Sequence, residues 1–180
     1  MKTWITSDLH FGHANIIKFC PKTRGMFDTA AQMNEQFIAR WNDTVASDDT
    51  VFILGDVAFM NATDATALLS QLKGKKILIK GNHDRKLLEH DGFRACFAEV
   101  HSDWVGSING TYIHMYHFPL REWDRMHRGA VHFHGHVHGN ETGLEKYRCR
   151  DAGYDATGKV VTLIDDLIAD AVKGEIRNHH

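Results

Sequence analysis

"KILIKGNHDR", residues 76–85, is a short apolar run that stops at a glycine and is followed at once by an amide, an imidazole and a carboxylate. A run this short, rich in isoleucine and bounded by polar residues, reads as a buried strand. Gly81 lets the backbone pass close to a neighbour, and the loop beyond it carries the polar chemistry. The same pattern recurs on both sides: "KTWIT" (2–6) runs into "SDLHFGH", "VFIL" (51–54) into "GDVA", and "AVHFH" (130–134) into "GHVHG". Between the first two strands Ala30, Met33, Phe37, Trp41 and Val45 recur at three- and four-residue intervals, opposite Gln32, Glu35 and Arg40, which predicts an amphipathic helix. Thr63 is expected to cap a second helix that runs through Leu68, Leu69 and Leu72 to Gly74. Strand and helix therefore alternate in the first half. In the second half "DWVGSI" and "TYIHMYH" flank Asn109-Gly110, the dipeptide of a type I′ hairpin, so the sheets are not purely parallel. "KVVTLI" (159–164) reads as a last strand and "DDLIADAVKG" as a closing helix with acids in its first turn.

At 180 residues and 43% apolar content the chain can bury one sizeable core, and a single domain over 1–178 is expected, with His179 and His180 as a tail or tag remnant. No apolar stretch approaches the roughly 18 residues of a membrane span, and no signal peptide is evident, so a soluble cytoplasmic protein is expected. Three scattered cysteines without a C-x-x-C pair suggest neither disulfides nor a thiolate zinc site. The net charge of −2 excludes the global basic surplus that holds long polyanions, so nucleic acid is not the favoured partner. The basic clusters Lys73-Lys75-Lys76 and Arg121-Arg125-Arg128 read as solvated surface. Histidine, at 14 residues, is the outlier.

The chemistry collects in the loops. Asp8 and His10 lie at i and i+2, as do His136 and His138, a spacing that in extended chain points both side chains to one side. Asp56, the Asn82-His83-Asp84 trio and His117 follow the other strands. Carboxylate, imidazole and amide oxygen without thiolate suit Mn²⁺, Fe or Zn²⁺, and two carboxylates with five imidazoles exceed what one ion needs. A two-metal centre follows: ions about 3.5–4 Å apart, bridged by a carboxylate, polarise a phosphoryl oxygen while a bridging water becomes hydroxide near neutral pH. His132 and His134 share a strand face leading into the last loop and are expected to support ligands rather than to ligate. His90, His101, His114 and His127 are expected at the surface or in satisfied packing positions.

The ordered blocks D-x-H, G-D, G-N-H-D, H and G-H-x-H, from Asp8 to His138, resemble the calcineurin-like metallophosphoesterase superfamily. "DLHFGHANIIKFC" and "HFPLREW" are most similar to its small phage and bacterial members. The resemblance implies an α/β, four-layer αββα sandwich of two mixed β-sheets flanked by helices, with the site on loops at strand ends. It implies that Asp8, His10, Asp56 and His138 hold one ion and Asp56, Asn82, His117 and His136 the other, with His83 beside the substrate to stabilise the transition state and protonate the leaving oxygen. The protein serine/threonine phosphatase branch continues its second block as G-D-x-V-D-R-G, whereas here Gly55-Asp56 runs on as Val57-Ala58-Phe59-Met60. The acid that orients the histidine and the adjacent arginine are thus missing, which argues against a phosphoprotein phosphatase. Asp84 is then the acid at hand to orient His83, and His13, Arg24 and Arg121 are the candidates for contacting phosphate.

The function expected is hydrolysis of a small phosphodiester, a cyclic nucleotide or nucleotide-type compound, by attack of the metal-bridging hydroxide. Phosphomonoesterase and nuclease remain open as alternatives within the superfamily, as does a non-catalytic metal-binding scaffold of this fold. The resemblance favours Mn²⁺ among the ions the ligands accept, which include Fe²⁺, Ni²⁺ and Zn²⁺.

Overall fold

The structure is a computed structural model that describes residues 1–177. The expected domain end at 178 and the expected tail at His179 and His180 lie outside the described residues.

In chain order the elements are β1 (Thr3–Thr6), α1 (Ala14–Phe19), α2 (Pro21–Arg24), α3 (Ala30–Thr44), β2 (Thr50–Ile53), α4 (Ala62–Leu69), β3 (Lys75–Ile79), α5 (Asp91–Arg94), β4 (Glu99–His101), β5 (Asp103–Ile108), β6 (Thr111–Tyr116), β7 (Val131–His134), β8 (Cys149–Asp151), α6 (Tyr154–Thr157), β9 (Thr162–Leu163) and α7 (Ile164–Ala171). They build two mixed sheets. The first has the order β4-β3-β2-β1-β9, with β9 antiparallel to its neighbour, and the second the order β5-β6-β7-β8, with only β5 and β6 antiparallel.

Period-two alternation decides what each face covers. On the first sheet Trp4, Val51, Ile53 and Leu78 join Met33, Phe37, Trp41, Leu69 and Phe93 in a core beneath the helices. Their strand neighbours Ile5, Phe52, Leu54, Ile77 and Ile79 point the other way and meet Ile113, Met115, Val131 and Phe133 of the second sheet, with Ile164 and Ile168 of α7 closing the layer. Both faces of the first sheet are thus apolar, which is why "VFIL" and "KILI" read as continuous runs. A smaller cluster of Trp123, Met126, Ala130 and Cys149 covers the outer face of the second sheet.

The local expectations hold with shifts at element ends. The Asn109-Gly110 turn has φ of 49° and 82° and joins antiparallel β5 and β6. Helix α4 is capped by Asn61 rather than Thr63: the Asn61 side chain accepts the Asp64 N–H at 2.9 Å and so satisfies a free donor two residues earlier. The same helix stops at Leu69, and Leu72 and Gly74 fall in the following turn. Only Thr162 and Leu163 of "KVVTLI" pair as a strand, because Ile164 is drawn into the inter-sheet core as the first residue of α7. No helix among the described residues is long and apolar enough to cross a membrane. Cys20, Cys96 and Cys149 are free, the last buried and the others half-buried.

Candidate metal centre

Five loops leave the C-terminal ends of β1, β2, β3, β6 and β7, where an α/β sheet presents its ligands. Backbone hydrogen bonds carry the pairing of β1 and β2 on into the loops: Asp8 N–H donates to Gly55 O, His10 N–H to Asp56 O, and Phe59 N–H to Phe11 O. Within the second sheet Gly135 N–H donates to His117 O, and across the two sheets the His136 N–H donates to Asp8 Oδ2 at 2.8 Å. Gly135 makes this approach possible, since a Cβ there would overlap Ser7 Oγ and Asp8 Oδ2.

The side chains so delivered form two groups, Asp8-His10-His138 and Asp56-His117-His136. Asp56 Oδ2 lies between them, 3.8 Å from His10 Nε2 and 3.6 Å from His117 Nε2. Asp8 Oδ1 is 3.8 Å from both His10 Nε2 and His138 Nε2, and Asn82 Oδ1 is 2.9 Å from His117 Nε2. Ligand bonds of about 2.0–2.2 Å place neighbouring donor atoms about 3–3.6 Å apart, so these spacings fit a shared cation slightly contracted around its ion. Asp8 Oδ1 and His10 Nε2 are buried and have no hydrogen-bond partner, a costly arrangement that a cation removes. The structure therefore brings all seven expected ligands together in one place, and the donor set fits two divalent ions.

Each carboxylate divides its work. Asp8 uses Oδ2, and Asp56 uses Oδ1, to accept a backbone N–H, from His136 and His83 respectively, which leaves one oxygen of each facing the site. The imidazoles do the same. His117 Nδ1 faces Leu54 O at 2.6 Å, His138 Nδ1 faces Asp155 Oδ2 at 2.7 Å, and His10 Nδ1 faces His13 Nδ1 at 3.0 Å, so the Nε2 atoms point inward. Backbone carbonyl and carboxylate can only accept, which fixes the proton of His117 and His138 on Nδ1. Burial holds the His10 and His136 pKa values below the ordinary imidazole range. For His138 burial acts in the same direction, but the Asp155 hydrogen bond and the charges of Asp8 and Asp155 outweigh it and raise the pKa. Burial would raise Asp8 as well, yet the His10 contact and the nearby His117 and His138 lower it, so the carboxylate is held charged.

Asp155 had no signal in the sequence, because it sits in a short helix 17 residues past His138 with no motif around it. It is held in turn by Thr23 Oγ1 and by Arg24, whose Nη2 reaches Asp155 Oδ2 at 2.8 Å. Arg24 is fully buried and also donates to Asp8 O and Leu9 O, so the expectation that it contacts phosphate is corrected: it braces the ligand loop from behind. Arg121 is exposed and lines a separate cavity with Lys146, Tyr147 and Arg177, so the structure does not bring it among the ligands. His13 stays at the rim, stacked on Phe59 at 4.1 Å, its pKa lowered to about 4 by burial and the neighbouring imidazoles, so it stands there uncharged. A third grouping, Cys20-His138-Asp155, lies on the outer side of His138. Burial and Asp155 push the Cys20 thiol up to about 11, so without an ion it stays protonated.

Asp84 is also corrected. Its carboxylate is buried and accepts the backbone N–H groups of Asp56, Val57 and Gly81 at 2.8–2.9 Å, with no contact to the His83 ring. It ties the second ligand loop to the third. His132 is buried between His114 O and the Leu120 N–H, and His134 faces Gly135 O; neither touches the two groups.

A family model described as calcineurin-like phosphoesterase matches residues 1–140, a span that contains every one of these ligands. The chain belongs to the calcineurin-like phosphoesterase family. Membership and the two ligand groups together support a metal-dependent phosphoesterase. Among curated relatives, the chain is similar to the uncharacterized protein MJ1445 of Methanocaldococcus jannaschii, 35% identical over 126 residues that cover 64% of this chain and 69% of that one. It is also similar to the Gene 66 protein of Mycobacterium phage L5, 28% identical over 92% of this chain and 93% of the phage protein. A solved structure, a protein of unknown function, AQ665, from Aquifex aeolicus, shares the fold with a TM-score of 0.72 at 24% identity, covering 93% of this chain and 99% of that one.

The family frame explains Phe59. It stands where the phosphoprotein phosphatase branch has its histidine-orienting aspartate, and its ring lies 4.5 Å from His83, 4.9 Å from His10 and 4.1 Å from His13. His83 is thus held by packing rather than by a carboxylate. Its Nε2 lies 3.9 Å from Asp56 Oδ2, and about half of its side chain is open to solvent.

Proposed function

We propose that this protein is a phosphodiesterase that hydrolyses a small, nucleotide-type phosphodiester with two divalent ions, Mn²⁺ before Fe²⁺, Ni²⁺ or Zn²⁺. What carries the reading is the shared Asp56 carboxylate between the two groups of site-facing donors. Asp8, His10, Asp56 and His138 would hold one ion and Asp56, Asn82, His117 and His136 the other. Such ions supply Lewis acidity and a water acidic enough to act near neutral pH. The thiolate-free set of three oxygen and four imidazole donors accepts each of these ions, and the family resemblance puts Mn²⁺ first.

The residues themselves favour a diester. A monoester dianion carries one more negative charge than a diester and gains most from a guanidinium beside the phosphate. Met60 stands where the phosphatase branch has that arginine, and Arg24 has its donors committed to Asp8 O, Leu9 O and Asp155. The exposed residues of the site, Asn82, His83 and His136, mark the side on which substrate enters. There His83 can place its Nε2 against the leaving oxygen and hand it a proton, an acid-base role. Free thiols accord with a reducing compartment, and the cytoplasm belongs to the same proposal. With Mn²⁺-reconstituted protein, kcat/KM for bis(p-nitrophenyl) phosphate is expected to exceed that for p-nitrophenyl phosphate. Turnover of the monoester alone would reverse the assignment.

A further inference from the structure

A cavity of about 560 Å³ opens beside Asn82 and is lined by Lys80, Gly81, Arg85, Leu88, Glu89, Arg94 and Val100 as well as Asn82 itself. Its wall is therefore shared with the second group of ligands, since Asn82 Oδ1 is 2.9 Å from His117 Nε2. Lys80, Arg85 and Arg94 are exposed, and among the described residues none of the three side chains forms an ion pair or hydrogen bond. Elsewhere Arg150 pairs with Asp170 at 2.6 Å and Arg177 with Glu122 at 3.9 Å. Three free cations facing one carboxylate, Glu89, leave the cavity positive in a chain whose net charge is negative. Its floor is different. Leu88 and Val100 are partly buried apolar residues packed on the core. A cationic rim over an apolar floor matches a nucleoside that carries its own phosphate, whereas a bare polyphosphate would have no use for the floor.

We infer that this cavity binds the nucleotide on one side of the scissile diester, so that the preferred substrate carries a second phosphate one nucleoside away from the reacting one. The inference rests on the phosphodiesterase reading for its place in the reaction, and only for that. Arg85 and Arg94 would grip the second phosphate, and the sugar and base would lie over Leu88 and Val100.

Two measurements test it. In the first, Mn²⁺-loaded protein is given thymidine 5′-(p-nitrophenyl phosphate) with and without a 3′-phosphate. The 3′-phosphate is expected to raise kcat/KM about 10-fold or more, mostly through KM, and the ratio is expected to fall to about one in R85Q/R94Q while R40Q, an exposed arginine on α3, keeps it. In the second, thymidine 3′,5′-bisphosphate is titrated calorimetrically into metal-free protein. Binding that weakens at least about 10-fold in R85Q/R94Q supports the cavity even where no diester is turned over, which would overturn the phosphodiesterase reading alone. A ratio near one in the native protein together with hydrolysis of bis(p-nitrophenyl) phosphate, or no binding of the bisphosphate, overturns the inference.

Discussion

Asp155 shows how much a single residue outside every motif can control. Its carboxylate joins buried Arg24 to His138, and the pair is almost wholly removed from solvent. Burial opposes ionisation, but hydrogen bonds from His138, Arg24 and Thr23 hold the carboxyl below its ordinary range. A depressed carboxylate stabilises the fold above its unfolded pKa, about 3.9, and that contribution is lost as pH falls through the folded value, so acid unfolding tied to Asp155 is expected only below about pH 4. Asp155→Asn strands Arg24 and is expected to cost about 3 kcal/mol, the scale for breaking a buried pair, and to weaken divalent-ion affinity about 10- to 100-fold. Chemical denaturation and a metal titration measure the two; unchanged affinity would remove Asp155 from the support of the site. His83 lies at the other extreme, half-open and held by the Phe59 ring. His83→Ala is expected to keep its metals by elemental analysis and lose about 10²-fold in turnover. A protein that turned over as before would take His83 out of the chemistry.

At the scale of elements, the ligand loops are rigid because backbone amides and carboxylates sew them together and because five ligands accept a strained backbone. Asp8, His10, Asp56, His136 and His138 all have φ between 52° and 71°, the left-handed region that costs about 1–3 kcal/mol for a side-chain-bearing residue unless its surroundings enforce it. The i, i+2 spacing of Asp8 with His10 and of His136 with His138 is thus productive for a reason other than strand alternation: the chain is not extended there. Between the first two ligands Leu9 turns into the core and anchors the loop. Gly135→Ala tests how little room this leaves. The added methyl would meet Ser7 Oγ and Asp8 Oδ2, so an overpacking cost of about 1–3 kcal/mol and loss of divalent-ion binding are expected. A thermal melt and a metal titration would report both, and native affinity in the variant would show that the two sheets approach less closely than the structure has them.

For the whole molecule, the first sheet contributes Asp8, His10, Asp56 and Asn82, and the second contributes His117, His136 and His138. An ion bound between them binds only the folded chain, so it stabilises by mass action, about 2.7 kcal/mol per site at 100 times Kd, or roughly 5–11 °C in Tm for a protein of this size. Calorimetry with Mn²⁺ and with EDTA measures it; coincident melts would show that no ion spans the sheets. Acid reverses the effect, because ligating imidazoles must be neutral. His138, with its raised pKa, takes up a proton first as pH falls, whereas burial keeps His10 and His136 neutral to lower pH. Metal content and activity are therefore expected to fall together below about pH 6, and the Asp8-His10-His138 group to empty first. Constant occupancy from pH 7 to 5 would contradict this.

The sequence by itself determined the three central strands of the first sheet, the long helix, the hairpin and the seven candidate ligands that the fold gathers, because these rest on local periodicity, turn stereochemistry and residue type, all of which act within a few residues. It could not determine which acid supports which ligand. Asp84 stands next to His83 in the chain yet binds three backbone amides, and Arg24 ends the short helix α2 near the first ligand loop yet faces inward, because the direction of a side chain is set by what packs against its backbone. Asp155 and Phe59 acquire their roles only when chain segments up to 132 residues apart meet. The tertiary structure alone decided these, since hydrogen bonds and ring contacts depend on distance in space, which no local pattern in the chain encodes.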